Sequence, residues 1–221
     1  PAPVVTVEPV VLDLDALARD EGENWTWKGV NVLPPGDERA LVLLSRGGAD
    51  AAVVREFDLR AKRFVEDGFV LPESKCQVSW RTRDELFVGT DFGPGSLTTS
   101  GYPRTTRSWR RGTDIASATT IAECEATHVT CYGIRYHARG FERDFVVRVP
   151  AFHRAEVFWL RDGEMVRLDK PESAVARQHR EWLLLSLRDD WQVGDAAYAA
   201  GSLLACRLDD FVAGGRDFHV L

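Results

Sequence analysis

No stretch of this chain approaches the ~20 consecutive apolar residues that cross a bilayer as a helix. No membrane partner is therefore expected. A basic excess is missing too: 28 Lys and Arg stand against 34 Asp and Glu, for a net charge of −6. Phosphate binding needs a basic face, so no nucleic-acid partner is expected. The short basic runs ARGFER and SWRRG read as solvated surface. The opening PAPVVTVEP has neither a basic nor an apolar leader region, which argues against a signal peptide. Pro1 is not an initiator methionine, so the chain reads as a piece of something larger. For a soluble protein of this kind the compartment stays open between cytoplasm and periplasm.

Cysteine is scarce. Cys76, Cys124, Cys131 and Cys206 form no C-x-x-C pair, and their spacings suit neither zinc nor a compact disulfide framework. Cys124 and Cys131 are near enough in sequence for a bridge, but buried free thiols are the plainer reading. The five histidines, His128, His137, His153, His179 and His219, show no H-x-x-x-H or H-E-x-x-H spacing. His128 and Cys131, three apart, would point to opposite faces of a strand. No metal and no cofactor is expected. The pairs Gly47-Gly48, Gly93-Pro94-Gly95 and Gly214-Gly215 match no phosphate-binding pattern and read as turns.

Hydrolytic chemistry is equally hard to find. The string G-x-S-x-G, which places a nucleophilic serine on a strand-to-helix elbow, does not occur. No catalytic residue is therefore expected within these 221 residues. Adjacent carboxylates are common, as at Asp84-Glu85 and Asp209-Asp210, and are ordinarily turn formers. A glycoside hydrolase, which needs two carboxylates across a cleft, is one alternative enzyme class.

What the chain has in abundance is period-two alternation. Strands are expected at 25–33, 39–45, 53–59, 65–71, 78–80, 85–89, 105–109, 116–122, 129–137, 143–150, 156–160, 165–168, 182–188 and 202–208, with an extended segment at 4–14. Pro34-Pro35-Gly36-Asp37 and Gly47-Gly48 punctuate the first of them. One helical turn is expected at Asp15 to Glu21, and an irregular arm at Asp189 to Gly201. Aromatic-rich strands begin near Trp27, Trp80, Tyr132 and Trp182, at steps of 53, 52 and 50 residues. Such a repeat, with three or four strands in each, fits propeller blades better than a sandwich. The expected fold is all-β, a partial β-propeller of about four four-stranded blades, with no domain boundary inside residues 1–221. Its core should carry Trp27, Trp80, Trp109, Trp159 and Trp182.

Particular segments sharpen this. LVLLSRGGADAAVVREFDL (Leu41 to Leu59), GF-x-LPE (Gly68 to Glu73), W-x-x-x-DELFVGTDFG (Trp80 to Gly93) and TTSGYPR-x-x-x-x-WRRGT (Thr98 to Thr113) together resemble the N-terminal β-propeller of prolyl oligopeptidase-type serine peptidases. The resemblance implies a seven-bladed parent and a catalytic α/β-hydrolase domain as partner, absent from this chain. It also implies short proline-containing peptides as substrates, with the propeller gating their access. The chain alone should be inactive and prone to self-association through exposed blade ends. Within SGYPR and WRRG, Tyr102, Arg104, Arg107 and Arg110 are candidates for facing substrate or the partner domain. Lys75, at the head of the strand reaching Trp80, joins them. Plain blade packing, with Arg stems covering Trp109, is the competing reading of this cluster. A stand-alone propeller that binds peptides or proteins is the second functional alternative. For it, closure of the last blade would be needed, and DFHVL reads as a strand start with no sequel.

Overall fold

The computed structural model describes residues 10–221, so most of the extended segment expected at 4–14 lies outside the described residues. The chain divides into two compact units, Pro1–Ser74 and Lys75–Leu221.

In the first unit, helix α1 (Leu14–Glu21) starts where the Asp13 side chain accepts a hydrogen bond from Ala16 N at 2.8 Å. It stops at Gly22, whose φ of +67° suits a residue without Cβ. A sheet follows from β1 (Trp25–Val32), β2 (Arg39–Arg46) and β3 (Ala52–Asp58). Its fourth position is shared by β4 (Arg63–Phe64) and β5 (Val70–Ser74), both paired with β3. The single strand expected at 65–71 is thus two short ones. The buried Glu56 carboxylate holds the intervening loop, accepting from Phe69 N at 3.0 Å. A Cβ on Gly68 would meet those of Val65 and Glu56 at 2.8 and 2.9 Å. Trp25, Val42, Leu44 and Phe57 form the core on the face where Leu14 and Leu17 of α1 pack.

Trp27 corrects the expected core: it is 49% exposed, while Trp25 is buried. The two lie two residues apart, but α1 reaches only Trp25, whose Nε1 donates to Glu21 Oε2 at 2.8 Å. Pairing with β2 then shifts between Trp27 and Gly29, which re-aims the strand.

The second unit carries three four-stranded antiparallel sheets. The first has β6 (Gln77–Thr82), β7 (Glu85–Gly89), β8 (Thr105–Arg110) and β9 (Thr119–Glu123). Here the strand expected from Ala116 begins later, because Asp114 accepts from Ala116 N and caps a 3-10 turn at Ile115–Ser117. The next has β10 (Thr130–Tyr136), β11 (Arg143–Ala151), β12 (Arg154–Arg161) and β13 (Glu164–Arg167). The last has β14 (Val175–His179), β15 (Trp182–Ser186), β18 (Leu203–Arg207) and β19 (His219–Val220). Between β15 and β18 the expected irregular arm forms a hairpin, β16 (Trp191–Val193) with β17 (Ala196–Tyr198).

Successive four-position sheets make this an all-β partial propeller, each sheet one blade, as the repeat implied. Trp80, Trp109 and Trp159 are buried and Trp182 half-buried. Trp182 lies on the second strand of its sheet; the first, β14, has the polar sequence VARQH and carries no aromatic to mark it. The segment DFHVL is also corrected: His219 and Val220 pair with β18 and supply the fourth strand of the last sheet. Helix α2 (Leu208–Val212), which period-two reading missed, buries Leu208 and Phe211 beneath that sheet.

Candidate substrate- and domain-facing site

Sheet pairing puts the start of β6, the end of β7, the start of β8 and the end of β9 at one end of their blade. The long loop 90–104 joins β7 to β8 there. It is held from within. Asp91 Oδ1 accepts from Gly93 N at 2.9 Å, and Ser96 Oγ accepts from Phe92 N at 2.8 Å. Thr98 N donates to Tyr102 O at 2.8 Å, around Gly101 at φ +77°.

Four of the five candidate residues touch this loop. Lys75 Nζ donates to Ser100 O at 3.2 Å and lies 4.4 Å from the Tyr102 ring centroid. Arg104 Nε donates to Cys124 O at 2.8 Å and its Nη1 to Gly95 O at 3.1 Å, with Glu123 at 3.6 Å. Arg107, in the middle of β8, reaches the loop through Phe92. Its guanidinium stacks 3.8 Å from the Phe92 ring, and its buried Nε has no hydrogen-bond partner among the described residues. Arg110 is at the opposite end of the blade, exposed, beside a polar cavity of about 410 Å³ lined by Arg81, Glu85 and Ser108. Trp109 is buried and donates from Nε1 to Thr113 O at 2.9 Å. The cluster in the sequence therefore gathers four residues at the loop and leaves Arg110 at the far end of the blade.

A group that sequence reading missed joins this blade to the next. The Asp144 carboxylate is buried between Arg81 Nε at 2.8 Å and Arg135 Nη1 at 2.9 Å. Arg81 also reaches Glu85 at 2.9 Å, and Ser108 Oγ donates to the same carboxylate. Burial opposes the Glu85 charge, but the Ser108 hydroxyl and Arg81 outweigh it and hold the carboxyl below its ordinary range. Burial pushes the His137 imidazole down, although its Nε2 lies 3.1 Å from Trp80 O. The available signal was Asp144 itself, a carboxylate at the head of the apolar strand DFVVRV.

Cys124 and Cys131 are free and buried side by side between the same two blades. Their mutual hydrogen bond lowers the Cys124 thiol, while that bond and burial push Cys131 far up. Among the described residues no group of three or more His, Cys, Asp and Glu could hold a metal ion. The loop corner offers cations, an aromatic face and backbone carbonyls. That equipment suits docking and positioning.

Comparisons with known proteins follow the same lines. Residues 3–141 match the family model described as prolyl oligopeptidase, N-terminal beta-propeller domain. An uncharacterized peptidase of Sinorhizobium fredii (strain NBRC 101917 / NGR234) is 43% identical over 111 residues, covering 50% of this chain and 15% of that protein. An uncharacterized peptidase of Rickettsia prowazekii (strain Madrid E) is 25% identical over 224 residues, covering 94% and 31%. Among solved structures, a post-proline cleaving enzyme from Rickettsia typhi superimposes with a TM-score of 0.86 at 23% identity, over 96% of this chain and 33% of that one. Two prolyl endopeptidases analysed for inter-domain dynamics provide another likeness, with a TM-score of 0.71 at 15% identity, over 99% and 32%. The chain spans about a third or less of the length of these relatives.

Proposed function

The chain belongs to the prolyl oligopeptidase family through its N-terminal β-propeller domain, and from that premise we propose that it gates the access of short proline-containing peptides to a serine-type catalytic α/β-hydrolase domain lying outside residues 1–221. The observation that carries this reading is the match of nearly the whole chain to one third of much longer peptidases. The sequence offers no nucleophile elbow of its own. A blade array with a narrow passage admits an unstructured peptide and rejects a globule. Lys75, Tyr102 and Arg104, gathered at loop 90–104, are the proposed contacts to substrate or to the catalytic domain. Arg107 and Arg110 take a lesser part, one inside the blade and one at its far end. Arginine suits the planar contact with a carboxylate that such docking uses.

The test is a hybrid in which these 221 residues replace the corresponding third of the Rickettsia typhi enzyme. The hybrid should cleave a short proline-containing chromogenic peptide at least about tenfold better, in kcat/KM, than the same site carried in an exposed loop of a folded protein. That ratio corresponds to ~1.4 kcal/mol of discrimination. A folded hybrid that cleaves both equally overturns gating. The chain by itself should show no turnover that a serine-reactive fluorophosphonate abolishes. Self-association through blade ends belongs to the same proposal, and sedimentation over a dilution series reads it. A compact monomer at every concentration removes that part.

A further inference from the structure

We propose that the slot between the last two blades is a binding site for a small neutral aromatic molecule carrying one N–H or O–H donor, with Gln178 Oε1 as the acceptor that selects it. This inference is independent of the gating reading.

The slot has a volume of about 190 Å³. Its walls include Tyr132 and Tyr136 of β10, Phe145 of β11, Leu183 of β15, and Gln178 and the exposed Arg177 of β14. For scale, a cavity of roughly 150 Å³ lined by apolar side chains stays dry and takes up benzene. Tyr136 and Phe145 stand edge to face, with centroids 5.6 Å apart and planes at 89°, so the wall already presents aromatic edges and faces to a guest. Both β10 and β14 are edge strands of their sheets, and the slot lies between them.

One polar atom sets the chemistry. Gln178 is 7% exposed, and its Oε1 is buried with no hydrogen-bond partner among the described residues. Both hydrogens of its Nε2 are committed, to Phe141 O at 2.9 Å and Arg180 O at 2.7 Å. A flipped amide would set its oxygen against two carbonyls, so the orientation is fixed and the oxygen is the acceptor. A buried acceptor left unpaired is costly, and a donor on an apolar body removes that cost where a donorless ring cannot. Burial also raises the phenols of Tyr132 and Tyr136 above their ordinary range, and the charged lining residue, Arg177, is exposed to solvent. A water molecule is the competing occupant. It needs two to four polar partners; Gln178 Oε1 is the sole buried unpartnered polar atom among the described lining residues, so a water there would depend on the phenols of Tyr132 and Tyr136 or on Arg177 for the rest.

The experiment titrates the full 221-residue chain with indole and with benzofuran, a ring of similar shape without the N–H. Amide chemical shifts of a labelled sample are the readout. Indole should bind saturably, with shifts centred on β10 and β14, and about tenfold more tightly than benzofuran. Gln178→Met should equalise the two ligands. Because that change also removes two anchoring hydrogen bonds, Ala176→Leu serves as a second variant. It narrows the slot from β14 and should abolish binding of both rings while the chain stays folded. Absence of saturable shifts up to the solubility limit, equal affinity for both rings in the unmodified chain, or binding unchanged by Ala176→Leu overturns the proposal and leaves the slot to water.

Discussion

The two junctions of the second unit are built on opposite principles. Between its first two blades the contacts are directional. Arg81 and Arg135 share Asp144, Ser79 Oγ donates to Gly133 O at 2.7 Å, and His137 Nε2 sits 3.1 Å from Trp80 O. Between its last two blades the contacts are apolar: Phe145, Trp159, Leu183, Leu185 and Leu204 pack together, and charged pairs such as Arg143–Asp209 stay at the rim. Strand β10 serves both. Its Cys131, Gly133 and Arg135 turn to the polar junction, and Tyr132, Ile134 and Tyr136 to the apolar one. The alternation of side chains along a strand makes this possible. Hydrogen bonds and ion pairs specify one alignment of two blades, while apolar contact tolerates imperfect filling. The 190 Å³ slot lies at the apolar junction.

Removing Asp144 should test the polar junction most severely. Asp144→Leu leaves the guanidinium groups of Arg81 and Arg135 facing each other without their shared anion. A loss of about 3–5 kcal/mol in urea unfolding is expected. A loss under ~1 kcal/mol would show that the arginines find solvent instead and that the junction is not ion-directed.

Phe145→Ala is the matching cut at the apolar junction. The residue is 2% exposed and packs against Trp159 with centroids 6.4 Å apart. Because the neighbouring slot gives the wall room to settle, a cost of about 3 kcal/mol is expected, at the low end for such truncations. A cost above ~5 kcal/mol would mean that this junction is as unyielding as the polar one.

Gly133→Ala probes the close approach on the polar side. Its Cβ would lie 2.5 Å from the Phe87 ring, so ring or strand has to move. A destabilisation of about 2 kcal/mol, seen as a lower urea midpoint with an unchanged slope, is expected. Unchanged stability would show that the blades slide apart at little cost.

The smallest effect depends on pH. Lys170 lies between β13 and β14, and its Nζ donates to Ala155 O at 2.9 Å and Pro171 O at 3.0 Å. Burial pushes its pKa down to about 8 from an ordinary 10.5. The folded chain loses this proton near pH 8, while the unfolded chain keeps it to about 10.5. Over that window the unfolded state binds more protons, so the Lys170 contribution to stability rises with pH, and below pH 8 its cost is fully present. A relative gain of about 1–2 kcal/mol from pH 8 to 10.5 is expected against Lys170→Met, since the amine keeps two carbonyl partners. Parallel pH curves for the two proteins would contradict it.

Much of this architecture was readable residue by residue. Apolar alternation and Gly or Asp turns place β1 to β3 and β6 to β13 near their observed positions, because those signals are local. The spacing of Trp80 and Tyr132 marks first strands for the same reason. Where the signal was weak, the reading failed. VARQH carries no aromatic, so β14 was missed and Trp182 marked a second strand. Trp25 and Trp27 look alike on paper, yet only Trp25 lies under α1. The cluster from Tyr102 to Arg110 looked like one site. Strand β8 separates Arg104, the last residue of the loop before it, from Arg110 at the opposite end of the blade, since each residue of a strand advances the chain by about 3.3 Å. Only tertiary structure could decide the junctions. The meeting of Arg81 with Asp144, the seat of Gly133 on Phe87, and the slot beside Gln178 all join residues far apart in the chain. The sequence by itself determined strands, turns and family, which depend on near neighbours. How one blade meets the next depends on which faces alternation turns toward each other in space.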